Sequence, residues 1–347
     1  MDKERCLKKG TILQGAYRIK KAISTSELSN VYVACEMRAK KTRILKEFFP
    51  RSLAMRDLDR RSVICRTPSA KGRFAALLES FWHEAAILQE LRHEHIASYV
   101  DHFAENGTAY LVIEFCKGKT LDQYLQKQQE LELGSFLHTI VLPLIFGLDY
   151  LHKQGIIHRD IKPQNIIVTD EGKPMLIDFG SAIRFDMHAP RQIVTTEGYS
   201  PLEFYSGKSR QGVFSDVYSL SATLYFCLTG QRPADVATRV IEDRLPSVRE
   251  LNAAVPRLLA NVISWGMAVE PKKDAPHCGC WKQPSVRSIC CKRARCACRS
   301  PSLRGKTNRF RYADSQLPAC PELGLLSLKR SSISVTRSSN VTYTLSL

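Results

Sequence analysis

The sequence predicts an α+β protein: a small β-rich lobe, then a larger helical lobe, then an irregular C-terminal tail. Three observations carry this. Residues 17–115 hold short β-type runs separated by polar turns; from Leu121 onward the apolar period is helical; beyond Lys273 no period continues. The 347 residues, 44% of them hydrophobic, suffice for one large core or two modest ones. The chain divides into an N-terminal segment (1–16), the small lobe (17–115), the large lobe (116–273) and the tail (274–347).

In the small lobe the runs 17–23, 31–36 and 42–48 read as strands. A helix is expected over 74–91. Two more strands, 96–104 and 109–115, flank the turn Glu105-Asn106-Gly107. In the large lobe Leu121, Tyr124 and Leu125 share one helical face, and 136–154 reads as a long apolar helix ending near Gly155. Short strands at 166–168 and 175–177 precede helices at 215–229 and 256–268.

The net charge of +17 first suggests nucleic acid or an anionic surface. Its distribution argues against that. The tail alone has 13 Lys/Arg against 3 Asp/Glu, a net of +10, and the other residues carry +7. No nucleic-acid partner is expected. The first ten residues are charged and lack an apolar stretch, so they do not read as a secretory signal. The most apolar run, 136–151, contains His138, Pro143 and Asp149 and reads as a buried helix, so no membrane span is expected. The expected location is the cytoplasm.

The chemistry concentrates in His158-Arg159-Asp160-Ile161-Lys162-Pro163-Gln164-Asn165, with Asp178-Phe179-Gly180 starting thirteen residues after Asn165. Asp160 can accept a hydroxyl proton. Asn165 and Asp178 offer the hard oxygen donors that Mg²⁺ prefers. Lys162, two residues past the carboxylate, can reach a phosphate in transfer. Two composite motifs at this spacing far exceed chance.

With these residues the chain resembles the protein kinase family over about residues 17–273, and in particular its bacterial serine/threonine branch. The resemblance implies the two-lobed protein kinase fold and transfer of the ATP γ-phosphate to serine or threonine hydroxyls of a protein substrate. ATP and Mg²⁺, with Mn²⁺ as alternative cation, are the implied cofactors. Lys46, in Ile44-Leu45-Lys46-Glu47, matches the strand lysine that holds the α- and β-phosphates; Glu84 matches its helix partner. Glu114 and Cys116 would offer backbone groups to adenine, after a gatekeeper at Ile113. His158 and Arg159 belong to the catalytic-loop motif. Thr196 stands at the threonine that contacts Asp160 and Lys162, Glu203 at the glutamate closing the activation segment. Asp216 matches the buried aspartate behind the catalytic loop. Thr195 is the candidate phosphosite, with Arg159 as its partner. Lys46-Glu47-Phe48-Phe49-Pro50, the long insert after it, and residues 265–271 resemble the bacterial branch.

The sequence departs from the family in two places. The family's phosphate-covering pattern, Gly-x-Gly-x-x-Gly-x-Val, aligns with Ser24-Thr25-Ser26-Glu27-Leu28-Ser29-Asn30-Val31. Serine holds each glycine position. A positive φ there would cost a serine about 1–3 kcal/mol; otherwise the loop simply tolerates serine, since its contacts are backbone N–H groups. Ile44 stands where the family usually has alanine above the adenine ring.

The second departure is the tail. After Lys273 the resemblance implies an arginine that pairs with Glu203 and a closing helix, yet Asp274-Ala275-Pro276-His277-Cys278-Gly279-Cys280 follows. Three readings stand. Cys278, Cys280, Cys290, Cys291, Cys296 and Cys298 with His277 form a metal site, although the usual two-residue spacer is missing. Lys292, Arg293, Arg295 and Arg309 to Arg311 form a basic arm. Or the tail is out-of-frame translation: reading one base earlier permits an arginine followed by an amphipathic Leu-rich string. These departures leave an alternative function, a kinase-like binding or scaffold protein with weak phosphotransfer.

Overall fold

The computed structural model describes residues 5–128, 130–184 and 193–269, together with three strand segments of the tail. It resolves into two units, residues 1–313 and 314–347.

The small lobe of the first unit is one antiparallel sheet. Its strands are β1 (Ile12–Leu13), β2 (Tyr17–Thr25), β3 (Ser29–Glu36) and β4 (Lys41–Phe48). A separate hairpin follows, β5 (Ala54–Arg56) and β6 (Val63–Cys65), then helix α1 (Lys71–Glu90). Strands β7 (Tyr99–Glu105) and β8 (Thr108–Glu114) complete the sheet in the order β1-β2-β3-β4-β8-β7. The period of two sorts β4 cleanly: Arg43, Leu45 and Glu47 are buried on one face, while Ile44 and Lys46 are half-buried on the other, beside the cleft.

Glu47 lies fully buried behind this sheet. Tyr32 donates its hydroxyl to it at 2.7 Å, Tyr110 at 3.1 Å and Asn30 its amide at 3.1 Å, and the Arg56 guanidinium pairs with it. Arg56 belongs to the hairpin of the insert after β4, so the insert is fastened to the sheet by a buried ion pair. The N-terminal segment packs there too. Cys6, Leu7 and Leu13 join the Tyr32 and Leu45 cluster, and the Arg5 carbonyl accepts from Asn30 and Arg56.

The start of the 96–104 run serves another purpose than the sheet. Ile96 is buried and bridges to Leu176 in the large lobe, and Ala97 N–H donates to the Leu176 carbonyl at 2.9 Å. Strand β7 begins only at Tyr99.

The large lobe begins with β9 (Gly118–Thr120) and α2 (Leu121–Gln126), then β10 (Glu130–Glu132) and α3 (Leu133–Phe136). A wide π-helical turn, Leu137–Val141, joins α3 to α4 (Leu142–Lys153). The single helix expected over 136–154 is thus interrupted. Pro143 supplies the reason: it has no N–H to give to the preceding turn, which widens. By length and composition Leu133–Lys153 would serve as a membrane span, but Leu144, Ile145, Leu148 and Leu151 are buried in the main core.

Beyond α4 come β11 (Ile156–Ile157), β12 (Ile166–Thr169), β13 (Pro174–Leu176) and β14 (Ile183–Arg184). Helix α5 (Val213–Thr229) is buried nearly all round and ends on Gly230 at φ 73°. Helices α6 (Val236–Ile241), α7 (Val248–Leu251) and α8 (Arg257–Gly266) cover it. Strand β15 (Arg309–Arg311) pairs with β10. The second unit contains a hairpin, β16 (Ile333–Arg337) with β17 (Val341–Leu345). The tail cysteines, His277, the Lys292–Arg295 run and the position of the expected frame change lie outside the described residues.

Truncating Arg56 leaves Glu47 a buried carboxylate without a cation. Arg56→Ala is expected to destabilise the fold by about 3–5 kcal/mol, read by denaturant unfolding. A loss under about 1 kcal/mol would mean that the pair behaves as a surface bridge and that the insert does not hold the sheet.

Candidate active site

The cleft between the lobes is built around a buried carboxylate. Asp216, fully buried in the first turns of α5, accepts the His158 backbone N–H at 2.8 Å and the Arg159 N–H at 2.9 Å. His152, at the end of α4, meets the same carboxylate at 2.9 Å. The bonds hold Arg159 at φ 68°, a conformation that a β-carbon disfavours. That bend aims the next residue, Asp160, into the cleft. Burial pushes the Asp216 carboxyl up, but its hydrogen bond to His152 and that ring's charge bring it below the ordinary range.

His158 is buried, and burial holds its imidazole below the usual pKa. Its Nδ1 accepts the Asp160 N–H at 3.3 Å, so Nε2 carries the proton and donates to the Ile177 carbonyl at 3.2 Å. The ring also packs edge-on against the buried Phe179 at 4.8 Å. One neutral histidine thus ties the Asp160 loop to the Asp178 loop.

Three side chains converge on Asp160. Thr196 donates its hydroxyl to Oδ1 at 2.7 Å, and Lys162 Nζ lies 2.8 Å from Oδ2. Asn165 Nδ2 donates to both the Asp160 carbonyl and Oδ2 at 2.8 Å. Lys162 also reaches Thr196 Oγ1 at 3.2 Å. With its amide nitrogen so engaged, Asn165 keeps Oδ1 as its acceptor.

The second charged group comes from three elements. Helix α1 buries Phe81, Glu84, Ala85 and Leu88, the i, i+3, i+4, i+7 stripe of a core-facing helix. Glu84 is the carboxylate in that stripe, and Lys46 Nζ on β4 meets its two oxygens at 2.8 and 3.0 Å. Lys46 also donates to Asp178 Oδ1 at 2.7 Å. Asp178 sits at φ 61° and remains open to the cleft. Lys46 holds its carboxyl down at about 2. Burial pulls the lysine down, but the Asp178 and Glu84 carboxylates outweigh it and leave Lys46 a firm cation. Burial raises Glu84 despite the lysine. Gly180 leaves the charges close quarters: a β-carbon there would stand 3.2 Å from Lys46 Nζ and 3.3 Å from Asp178 Oδ1, a tight fit that would push on both.

Asn165 and Asp178 are thus a neutral and an anionic oxygen donor on adjoining loops. Among the described residues no cluster of three or more His, Cys, Asp or Glu could hold a metal by itself. Two protein oxygens fit a hard cation that takes its other ligands from water and a phosphate-bearing substrate.

The serine-substituted loop is unstrained: Ser24, Ser26 and Ser29 all have negative φ. Its tip is closed by the serines themselves. Ser26 N–H donates to the Ser29 carbonyl at 2.7 Å, Ser29 N–H donates to Ser26 Oγ at 3.1 Å, and the two hydroxyls lie 3.0 Å apart. Phe49 and Arg51 N–H groups pin the tip from below through the Leu28 and Glu27 carbonyls. Val31, Ile44 and Ile113 are half-buried and line the cleft, with Ile44 opposite Ile113 in register. Glu114 pairs its side chain with Arg43 and donates its N–H to the Ser98 carbonyl at 2.9 Å. Cys116 is half-buried, and burial pushes its thiol up.

Arg159 is buried, donates to the Ser181 carbonyl and lies over Phe204, whereas Thr195 is exposed. Glu203 is buried, accepts the Ser215 hydroxyl at 2.6 Å, and has no cation beside it among the described residues. His152 and the Ser200 hydroxyl that takes the Thr196 N–H at 2.8 Å were not singled out from sequence. The signal for His152 is its place six residues before His158, at the end of an apolar helix.

Burial raises the Glu203 carboxyl above the ordinary range. Between the ordinary and the raised value the folded chain keeps a proton that the unfolded chain has lost, so stability falls as pH rises through that window. Glu203→Gln is expected to raise the thermal midpoint at about pH 8 and to change it little at about pH 5. A lower midpoint at the higher pH would show that the ionised carboxylate is stabilising.

A family model, the protein kinase domain, matches residues 52–264. The serine loop and Lys46 precede the matched segment, so their place in the cleft rests on the geometry above. The probable serine/threonine-protein kinase PknB of Lactococcus lactis is 32% identical over 193 residues, 53% of this chain and 30% of that protein. PknA of Nostoc is 37% identical over 56% of this chain and 36% of its own, and serine/threonine-protein kinase C of Synechocystis is 40% identical over 45% and 31%. The chain spans about a third of the length of these curated relatives. A solved structure, the apo form of PpkA-294, superposes with a TM-score of 0.70 at 28% identity, covering 82% of this chain and 99% of that one. With a family model over more than half its length, a two-lobed fold and this cleft, the chain belongs to the protein kinase domain family.

Proposed function

We propose that the protein is a serine/threonine kinase that transfers the γ-phosphate of ATP to hydroxyls of a protein substrate. The observation that carries the reading is the Asp160 carboxylate held by Thr196, Lys162 and Asn165, facing a Lys46–Glu84 pair on the other lobe. Phosphoryl transfer asks for positioning and charge neutralisation more than for covalent help. Asp160 takes the proton of the acceptor hydroxyl as its oxygen bonds to the γ-phosphorus. The bond from that phosphorus to the β-phosphate oxygen breaks, and ADP leaves. Lys162, beside Asp160, follows the charge on the moving phosphoryl group. Lys46 holds the α- and β-phosphates, Ser24 to Val31 cover them, and the Glu114 carbonyl with the Cys116 backbone meets adenine.

Asn165 and Asp178 would hold Mg²⁺, which neutralises phosphate charge when bound. Serine or threonine as acceptor follows from Lys162 and Thr196 and from the named relatives. A cytoplasmic location, where ATP is supplied, goes with this reading. Phosphorylation of Thr195 remains part of the proposal; a phosphate there would have to draw Arg159 from its contact with Ser181.

The test is γ-phosphate transfer to a generic basic protein. Asp160→Asn should lower the rate by about 10²–10⁴-fold. Near-zero transfer from parent and variant alike would defeat the reading. Ser26→Ala removes the acceptor of the Ser29 N–H, a loss of about 1 kcal/mol, and should raise the ATP KM roughly fivefold with the acceptor KM unchanged. An unchanged ATP KM would mean that the serine closure does not shape the nucleotide site.

A further inference from the structure

Thr196 touches the carboxylate that meets the acceptor, so whatever fixes the chain around Thr196 fixes the edge of the acceptor site. Residues 196–200 form a tight turn. Tyr199 and Ser200 N–H groups both donate to the Thr196 carbonyl at 3.0 Å, and Ser200 Oγ accepts the Thr196 N–H. The inner end of the turn is held by Thr196 against Asp160 and Lys162.

The outer end is held from elsewhere. Asp235, which precedes α6, directs one oxygen at this turn and the other at its own helix. Oδ2 accepts the Gly198 N–H at 3.2 Å and the Tyr205 hydroxyl at 2.7 Å; Oδ1 accepts the Ala237 N–H at 2.9 Å. Gly198 has φ +81°, and a β-carbon on it would come within 2.6 Å of the Pro233 carbonyl. The turn therefore lies flush against residues 232–235. Arg232 and Glu197 add an exposed pair at 3.0 Å. Burial and the carboxylate both keep the Tyr205 hydroxyl protonated, hence a donor.

We propose that Asp235 is a positioning residue for the protein acceptor: through Gly198 and Tyr205 it latches the 196–200 turn at the distance from Asp160 that an incoming hydroxyl-bearing segment requires. The assignment rests on the kinase reading above. Asp235 touches neither ATP nor the transferring phosphate, so its effect falls on the acceptor alone. Losing two hydrogen bonds that fix a turn, rather than any contact to ligand, should weaken acceptor binding about tenfold.

The experiment measures initial rates on the full chain, with a serine-containing basic peptide and ATP varied in turn. Asp235→Ala should raise the peptide KM about tenfold and leave the ATP KM within about twofold. Tyr205→Phe removes a single hydroxyl and leaves the helix cap, so it should move the peptide KM the same way by about fivefold. Asp235→Asn keeps a single acceptor oxygen, enough for the turn or for the helix cap but not for both, and should recover only part of the loss. Hydrogen exchange at the Gly198 amide reads the latch without any turnover and should quicken in Asp235→Ala. Where Asp235→Ala does not fold, Tyr205→Phe decides. A peptide KM unchanged in Tyr205→Phe, or ATP and peptide KM rising together, overturns the assignment. A parent chain that transfers no phosphate to any peptide while its Gly198 amide stays protected defeats the kinase reading instead.

Discussion

Two backbone N–H groups point at the Asp216 carboxylate from a loop that would not otherwise bend as it does. The positive φ of Arg159 is unfavourable for any residue with a β-carbon, and such a conformation persists only when its surroundings over-determine it. Here the surroundings are a charge that cannot move. Asp216 is fully buried in a helix that is itself buried, and removing its partners would leave an uncompensated anion in the core. Asp160, Lys162 and Asn165 follow this bend within a few residues, so their geometry derives from a helix that contributes none of them.

A second constraint works across the lobes. Lys46, Glu84 and Asp178 come from a strand, a helix and a loop, and each would be costly alone in this half-buried setting. Together they are one cation between two anions. Because Asp178 and Lys46 belong to different lobes, their contact also reports how the lobes face each other within the first unit. Lys46 is not spare surface charge: the β4 alternation that sends it toward the cleft sends Glu47 the other way, into the buried network that holds the insert. Adjacent residues on one strand thus face the cleft and the buried network separately.

The 196–200 turn is organised differently. It is fixed at one end by Thr196 on Asp160 and at the other by Asp235. Neither bond depends on the lobes' closure. The small-lobe side of the cleft, in contrast, ends on the tip of the β2–β3 hairpin. There serine hydroxyls do locally what glycine flexibility does in the family pattern, and all three serines keep negative φ.

Much of this was legible in the sequence because it is local. Period-two and period-3.6 patterns marked β2, β3, β4, β8, α1 and α5, and the spacing between Asn165 and Asp178 marked the catalytic loops. Glu84 was expected from its match to the family's helix glutamate, and it falls on the apolar stripe of α1. Other features depend on contacts between residues far apart in the chain. The β5–β6 hairpin has little periodicity of its own and is held by Arg56 on Glu47. The π-turn before α4 follows from Pro143 acting inside a helix whose apolar period continues through it. The Ile96 bridge to Leu176, the His152–Asp216 pair and the Asp235–Gly198–Tyr205 latch join segments tens of residues apart. Motif spacing and side-chain periodicity are properties of neighbours, so the two-lobed order and the candidate residues of the cleft could be read from sequence. Which buried charge bends the 158–160 loop and what holds the 196–200 turn were settled by tertiary contacts, because each is a choice of partner made when distant segments pack.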